Sequence, residues 1–350
     1  MASDTSRIDA VSARPGGTRH SISVVVPVYN ESAVVRAFYD RASQVLSAIP
    51  DFDYELLFVD DGSHDDTYAR LKSIAAGDPR VRLFKFSRNF GHQIAISAGI
   101  DYARGDCVAV IDVDLQDPPE VIPTLIDKWR EGFDVVYGRR LGREGETLLK
   151  RATAAAFYRL LAKMSKIQIP TDVGDFRLMS RRVVDELKKL REKDRFVRGL
   201  VSWLGFSQTA VDYQRAPRHA GETKYHYRKM MQFAIDGVTS FSTAPLRLAT
   251  WLGYAASLLA FIYLVSVVVQ KLMGITVQGF ATIMVAITFL GGVQLICLGI
   301  LGEYLGRIFN EIKPRPMYII EDTWDPAASD EVRPVDVAAG REGPRWQRSS

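Results

Sequence analysis

The apolar positions of this chain fall into two regimes. Up to about residue 240, short β-branched runs alternate with helical patterns, and beyond it lie two long stretches almost without charge. Ile22–Val28 (ISVVVPV) is continuous rather than alternating, which suits a strand buried on both faces. Similar runs at Glu55–Asp60, Val81–Phe86, Cys107–Asp112 and Asp134–Tyr137 predict further strands. Between them, Glu31–Leu46, Asp65–Ala75, His92–Ala103 and Pro119–Arg130 carry helical patterns. Strand alternating with helix predicts a Rossmann-like α/β domain with a mostly parallel sheet. Ligands on such folds bind beyond the carboxyl ends of the strands. Polar clusters stand at those ends: Tyr29-Asn30-Glu31, Asp60-Asp61-Gly62-Ser63 and Asp112-Val113-Asp114.

From Leu248 to Val269 there is no charge over 22 residues. At helical rise this reaches roughly 33 Å, enough to span a bilayer core. Leu272–Gly302 is again uncharged and holds one more span. The pattern predicts a C-terminal two-helix transmembrane hairpin, with helices at 247–271 and 278–303. Arg228, Lys229 and Arg247 precede it, and Arg307, Lys313 and Arg315 follow it. Positive flanks stay cytoplasmic, so the N-terminal domain and both termini are expected at the cytoplasmic face of an inner or plasma membrane. The 225–246 stretch, with Arg228, Lys229, Met230, Met231, Phe233 and Ile235, reads either as an interfacial helix lying on the membrane or as an ordinary helix packed on the domain. Residues 1–20 lack the apolar core of a signal peptide and are expected to be a disordered tail. The tail at 304–350 is expected to be disordered from about Thr323, where Pro, Asp, Arg and Gly occur without periodicity.

Charge and cysteine content exclude little but remove some classes. A net charge of +4 gives no nucleic-acid footprint. Cys107 and Cys297 are too far apart, and in segments too different, for a disulfide framework or a metal site.

The chemistry concentrates in four strand ends. Val110-Ile-Asp-Val-Asp-Leu-Gln-Asp-Pro-Pro-Glu120 ends an apolar strand in Asp112, Asp114 and Asp117. Carboxylates crowded there are costly unless a cation neutralises them. Hard oxygen ligands favour Mg2+ or Mn2+, which can bridge protein carboxylates and a substrate diphosphate. Phe58-Val-Asp-Asp-Gly-Ser63 ends a second strand in two carboxylates, with Gly62 free to make a tight turn. It reads as a base-recognising edge or as an Asx turn with Ser63 or Asp65 capping the next helix. Val26-Pro-Val-Tyr-Asn-Glu31 is a third strand end. Phe86-Ser-Arg-Asn-Phe-Gly-His92 is the fourth, where Arg88 and a helix N-terminus could face phosphates. The histidines, His92 included, show no metal or triad spacing and receive no chemical role.

Taken in order, these motifs resemble the family-two inverting glycosyltransferases of the GT-A fold. "SRNFGHQ", "DVDLQDPPE", "VYGRR" with "REGE", "DVGDFRLMSRRVVD", "RFVRGLVSWLGF" and "GETKY", followed by two spans, narrow the resemblance to the bacterial polyprenyl-phosphate glycosyltransferases. Relatives of that group include the bactoprenol glucosyltransferases and dolichyl-phosphate mannose synthase. The resemblance runs over about Ile22 to Pro316 and implies a GT-A domain at 21–224. It implies that Pro27, Tyr29, Glu31 and Asp61 hold the nucleotide, with Arg88 near its phosphates. Asp112 and Asp114 would handle the diphosphate and the metal, and Gln116 would complete the metal site. Arg140, or Arg139 beside it, would contact phosphate. Asp175 in "GDFR" stands where the family places a carboxylate near the acceptor. Arg177, Arg218 and Lys224 would meet the acceptor phosphate, with the alternative that Arg218 and Lys224 only attend anionic headgroups.

The implied reaction is metal-dependent, inverting transfer of a sugar from a nucleotide-sugar to the phosphate of a polyprenyl lipid, undecaprenyl or decaprenyl. UDP-glucose is the first choice of donor, with GDP-mannose, UDP-galactose and a UDP-N-acetylhexosamine open. A phosphate monoester is mostly dianionic at neutral pH, so Asp175 is expected to orient or assist rather than act as an obligatory base. Gly291, Gly292, Gly299, Gly302 and Gly306 permit close helix approach and suggest a homo-oligomer. A processive synthase would need more spans and a QxxRW-type motif. A non-catalytic, membrane-anchored sugar-nucleotide-binding protein would not need intact acidic motifs.

Overall fold

The computed structural model describes residues 19–141, 173–193, 195–214, 244–274 and 279–326. Arg218, Lys224, "REGE" and most of the 225–246 stretch lie outside these residues. Two compact units emerge: Met1–Ala154, Ile167–Lys224 and Arg315–Ser350 form one, and Ala155–Lys166 with Tyr225–Pro314 the other.

The first unit is built on an eight-stranded sheet. Its strands are β1 (His20–Val28), β2 (Phe52–Asp60), β3 (Val81–Phe86), β4 (Cys107–Val110), β5 (Val135–Arg140), β6 (Val173–Ser180), β7 (Gln208–Tyr213) and β8 (Ile320–Trp324). They lie in the order β7-β5-β6-β4-β1-β2-β3-β8. β4, β1, β2 and β3 pair in parallel, as do β5 and β7, whereas β6 and β8 run antiparallel to their neighbours. Between and after the strands come α1 (Val35–Ser47), α2 (Thr67–Gly77), α3 (His92–Tyr102), α4 (Ile122–Arg130), α5 (Arg181–Lys189) and α6 (Val197–Trp203). The expected continuous run of β1 occupies the sheet centre, where Ile22 to Val28 are buried throughout. Their apolar side chains leave water on both faces, which is the dominant favourable term in the fold.

Two boundaries moved for local reasons. α1 starts at Val35 rather than Glu31, because Val34 and Val35 both donate to the Glu31 carbonyl in a preceding turn. Asn30 adopts a left-handed φ of 54°, bonds through its N–H to Ser63 Oγ and accepts from His64 N–H. This fastens the loop after β1 to the loop after β2. The helix expected from Pro119 opens as a single 3-10 turn, Pro119–Val121, before α4.

β8, paired antiparallel with the β3 edge, ends at Trp324 and so takes in only the start of the stretch expected to be disordered from about Thr323, most of which lies outside the described residues. Nothing in the short IEDTW segment demands a strand. It becomes one because an open sheet edge supplies backbone partners. Lys72 holds Asp322 at 2.6 Å and Lys85 holds Glu321 at 2.8 Å. Asp325 is buried against Arg82 at 2.9 Å and also meets Arg104 at 2.8 Å. Just before the strand, Tyr318 stacks on Phe86 and donates to Asp101.

The second unit contains α7 (Ala244–Leu272) and α8 (Phe280–Ile312). Ala249–Gln270 and Val285–Ile312 are long and apolar enough to cross a membrane, with mean hydropathies of 2.2 and 2.1. Leu, Ile, Val and Phe side chains cover their exposed surface. α8 continues past the expected end at 303. Glu303 and Arg307 pair one turn apart at 3.1 Å, which supports the helix where the apolar stretch stops. Gly291, Gly292, Gly299, Gly302 and Gly306 meet nothing within 4 Å at the place of a Cβ.

Removing Asp325 leaves the buried Arg82 with only part of its counter-charge. Asp325→Ala is therefore expected to destabilise the first unit by about 2–4 kcal/mol. Thermal or urea unfolding of the full chain in detergent measures it, and an unchanged transition would mean that β8 does not anchor this edge.

Candidate active site

The parallel strands β1, β2, β3 and β4 end on one edge of the sheet, so their following loops meet there. β6 runs the other way and starts on that edge. Its register with β4 pairs Val110 with Arg177. Two residues further along, the same register sets Asp112 opposite Asp175. This is how carboxylates from distant sequence positions come together.

A cleft of about 290 Å³ opens at this edge, lined by Pro27, Val28, Tyr29, Glu31, Asp61, Asn89, Gly91, His92, Ala95, Asp112, Val113 and Asp114. It brings together Pro27, Tyr29, Glu31, Asp61, Asp112 and Asp114 of the expected set. Asp61 is buried, and its carboxylate accepts the N–H of Phe90 at 2.6 Å and of Gly91 at 3.0 Å. Burial raises its pKa despite these bonds. Asp61 thereby clamps the loop after β3. Carboxylate oxygens have more than one lone pair each, so the clamp is compatible with a base contact. Gly62 makes the clamp possible. Its φ is +70°, and a Cβ there would stand 2.5 Å from the Arg88 carbonyl carbon.

The segment after β4 carries its own strain. Leu115 sits in the left-handed region at φ 58° while buried. Such a conformation costs about 1–3 kcal/mol and recurs at functional sites. Gln116 N–H bonds Asp114 Oδ1 at 3.1 Å, bracing the turn.

Asp112 is strongly perturbed. Burial pushes its pKa up to about 6; His92 opposes this, while Asp175, Asp117 and Asp114 add to it. Its Oδ1 is buried with no hydrogen-bond partner. A buried, unpartnered carboxylate oxygen next to Asp114 fits a hard divalent cation. Asp112 and Asp114 would hold it, and the charge it supplies would offset that of a leaving diphosphate. Among the described residues, no three His, Cys, Asp or Glu side chains form a ready-made protein-only metal cluster. Two carboxylates plus substrate phosphates is the arrangement Mg2+ commonly takes.

Asp175 lies on the other side of Asp112. Its Oδ2 accepts from the Gln93 amide at 3.0 Å and faces His92 Nε2 at 3.3 Å. Its Oδ1 faces Arg198 at 3.4 Å. Burial alone would raise its pKa, but His92, Arg198 and Arg177 hold it well below the usual carboxylate range. It is ionised at neutral pH. His92 Nε2 also lies 3.5 Å from Asp112 Oδ1. Burial disfavours its charged form, yet the bond to Asp175 and the charges of Asp112, Asp175 and Asp61 raise its pKa above the ordinary value.

Several expected residues stand elsewhere. Arg177 is buried, with its guanidinium bonded to the Gly174 carbonyl at 3.0 Å and the Asp175 carbonyl at 3.3 Å. Wrapped on its own strand, it is a poor phosphate ligand, so the expected acceptor role is withdrawn. Arg88 is exposed, stacks over Phe90 at 3.9 Å and does not line the cleft. Gln116 is buried and does not itself line the cleft, and its N–H bonds the lining Asp114. Of the two neighbouring arginines, Arg139 forms an exposed pair with Asp212 at 2.6 Å. Arg140 turns to the buried Asp117 at 3.3 Å and to Tyr213 Oη at 3.2 Å, lying over Gly174, where a Cβ would meet it at 2.6 Å. Strand alternation separates the two, and Arg140 is the one beside Asp175's turn.

His92, Gln93, Asn89 and Arg198 received no role from the sequence. The available signal was the "GHQ" placement of His92 and Gln93 at the start of a helix that follows a strand end. Arg198 gave none by spacing, since it comes from a distant helix.

The family model "Glycosyl transferase family 2" matches residues 23–188, and "GtrB C-terminal hairpin" matches 244–308. A Bacillus subtilis (strain 168) protein described as "Uncharacterized glycosyltransferase YkcC" is 51% identical over 309 residues, covering 88% of this chain and 95% of that protein. The "SfII prophage-derived bactoprenol glucosyl transferase" of Shigella flexneri is 46% identical over 301 residues, covering 86% of this chain and 97% of the relative. Among solved structures, glucosyl-3-phosphoglycerate synthase from Mycobacterium tuberculosis with Mg2+ and uridine-diphosphate matches with a TM-score of 0.44 and 20% identity, over 65% of this chain and 83% of that one.

Two outcomes follow from this geometry. Gly62→Ala is expected to displace the Arg88–Gly91 loop and weaken nucleotide binding by about tenfold or more, the cost of roughly one lost charge-assisted hydrogen bond; calorimetric titration with a nucleoside diphosphate measures it. A proton and a cation compete for Asp112, so Mn2+ affinity is expected to be steady above about pH 7. Below about 6 it should fall by about tenfold per unit as the carboxyl protonates. Mn2+ affinity independent of pH across that window would place the cation away from Asp112.

Proposed function

Because the chain belongs to glycosyl transferase family 2, we propose that it transfers glucose from UDP-glucose to the phosphate of a polyprenyl lipid at the cytoplasmic membrane face, using Mg2+ or Mn2+. The observation that carries this reading is the meeting of Asp112 and Asp114, from the end of β4, in one cleft, with Asp175, from the start of β6, joined to Asp112 through His92 Nε2 at 3.3 and 3.5 Å. The relatives named bactoprenol glucosyl transferase support glucose as the sugar and a polyprenyl carrier as the acceptor. The two apolar helices support a membrane setting, where the acceptor's phosphate lies at headgroup level.

In this reading Pro27, Tyr29, Glu31 and Asp61 receive the nucleotide. Asp112 and Asp114 hold the cation beside the diphosphate. An oxygen of the lipid phosphate attacks the anomeric carbon from the side opposite the diphosphate. The new C–O bond forms as the old one breaks, and the configuration inverts. The attacking phosphate is already mostly dianionic, so Asp175 need not take a proton. Kept ionised by His92, Gln93 and Arg198, it orients groups at the acceptor side. Arg140, lying over Gly174 one residue before Asp175, pairs with Asp117 and stabilises its charge. The glycines of α8, where a Cβ would meet no described atom within 4 Å, leave room for a second copy in a homo-oligomer.

The test is transfer from labelled UDP-glucose, UDP-galactose, UDP-N-acetylglucosamine and GDP-mannose to undecaprenyl phosphate in detergent, with and without Mg2+ or Mn2+. Lipid-linked label with UDP-glucose and cation is expected. Label with another donor would replace glucose, and no lipid-linked label with any donor would remove the lipid phosphate. Asp112→Asn keeps the shape of the side chain but removes its charge, and transfer is expected to fall by about 10²–10³-fold. Activity near that of the unaltered protein would overturn the cation assignment.

A further inference from the structure

Asp175 gathers more cationic donors than its own charge requires. Gln93 and His92 stand at Oδ2, Arg198 at Oδ1, and Arg177 at 4.0 Å from Oδ1. Arg177 is accounted for by the backbone carbonyls of Gly174 and Asp175. Arg198 is not so occupied. Its guanidinium makes one long contact, Nη2 to Asp175, and its buried Nε has no hydrogen-bond partner among the described residues. Its side chain is 22% exposed, against 4% for Arg177. The buried Nε–H of Arg198, left without an acceptor, is costly on its own, and the cost is met when an anion arrives.

Arg198 is held for that purpose by the chain around it. The Gln93 amide donates to Asp175 and accepts the Val197 N–H at 3.0 Å. One side chain of α3 thus registers the first turn of α6 on the start of β6. The Arg198 guanidinium also lies over the Phe196 ring at 5.6 Å.

We propose that Arg198 is a direct contact to the acceptor phosphate, in the place the sequence assigned to Arg177. The inference rests on the phosphate-acceptor reading given above. The physical need is plain. An ionised Asp175 repels a dianionic phosphate monoester, and a cation between the two removes that repulsion. Arginine suits the position because its planar fork can bond a carboxylate on one edge and phosphate oxygens on another.

The experiment uses the full chain in detergent and compares Arg198→Lys and Arg198→Gln with the unaltered protein. Lys retains the charge and loses the fork; Gln retains length and loses the charge. Calorimetry with farnesyl phosphate, farnesol and inorganic phosphate reads acceptor binding without turnover, and UDP with Mn2+ reads the donor side. Farnesyl phosphate affinity is expected to fall by about tenfold in the Lys variant and about a hundredfold in the Gln variant. UDP affinity and the unfolding temperature should stay unchanged. In turnover, KM for polyprenyl phosphate should rise by similar factors. Unchanged farnesyl phosphate affinity in both variants, or a fall in kcat with KM unchanged, would overturn the proposal and leave Arg198 as a support for Asp175. Phosphate-dependent, Arg198-dependent binding in a protein that makes no lipid-linked sugar would uphold the contact while sinking the transfer reaction. Equal losses for farnesyl phosphate and inorganic phosphate locate the contact at the phosphate; a loss shared with farnesol would reject it.

Discussion

Like charges brought together out of water repel, and this cleft collects Asp61, Asp112 and Asp114 at one edge of one sheet, with Asp175 joined to Asp112 through His92. Much of the surrounding structure consists of what makes that tolerable. Asp61 is held by two backbone N–H groups, and Asp175 by an amide, an imidazole and an arginine. Asp117, just beyond, is neutralised by Arg140 and Tyr213. Asp112 keeps a buried Oδ1 without a hydrogen-bond partner among the described residues, 3.5 Å from His92 Nε2, and burial makes its carboxyl reluctant to ionise. That oxygen, beside Asp114, is where a cation fits.

The sheet topology makes this arrangement possible. A wholly parallel sheet would bring only strand ends to the cleft. Inserting β6 antiparallel between β4 and β5 brings a strand beginning there too, and with it Asp175. The period of two then puts Arg177 on the same face as Asp175 and buries Phe176 on the other. Helices α3 and α6 complete the wall, joined through Gln93.

The C-terminal strand and the residues before it pack on the first unit. Only 313–319 separate the end of α8 from β8 in the chain. Tyr318 packs with Val59, Phe86, Ala95 and Ala98, and Phe90 lies against the same cluster. Phe90 is also the residue whose N–H holds Asp61. Tyr318 thus packs on the elements that shape the Asp61 side of the cleft.

The amino-acid sequence determined the alternation of strands and helices, the two apolar spans and the carboxylate clusters at strand ends. These are local: β-branched runs, helical spacing and uncharged length are physical properties of contiguous residues. The motif order also carried the family. Tertiary structure alone decided which charged side chains share a pocket. Arg139 and Arg140 are equal in sequence, and only the pleat and the neighbouring Asp212 and Asp117 separate them. Arg177 sits two residues from Asp175 and looked like its partner in phosphate binding, but burial turned it onto backbone carbonyls. Arg198 and His92 reach Asp175 from distant helices. β8 became a strand because β3 offered an unpaired edge. Pairing across long sequence separations depends on register and packing, and no local pattern encodes it.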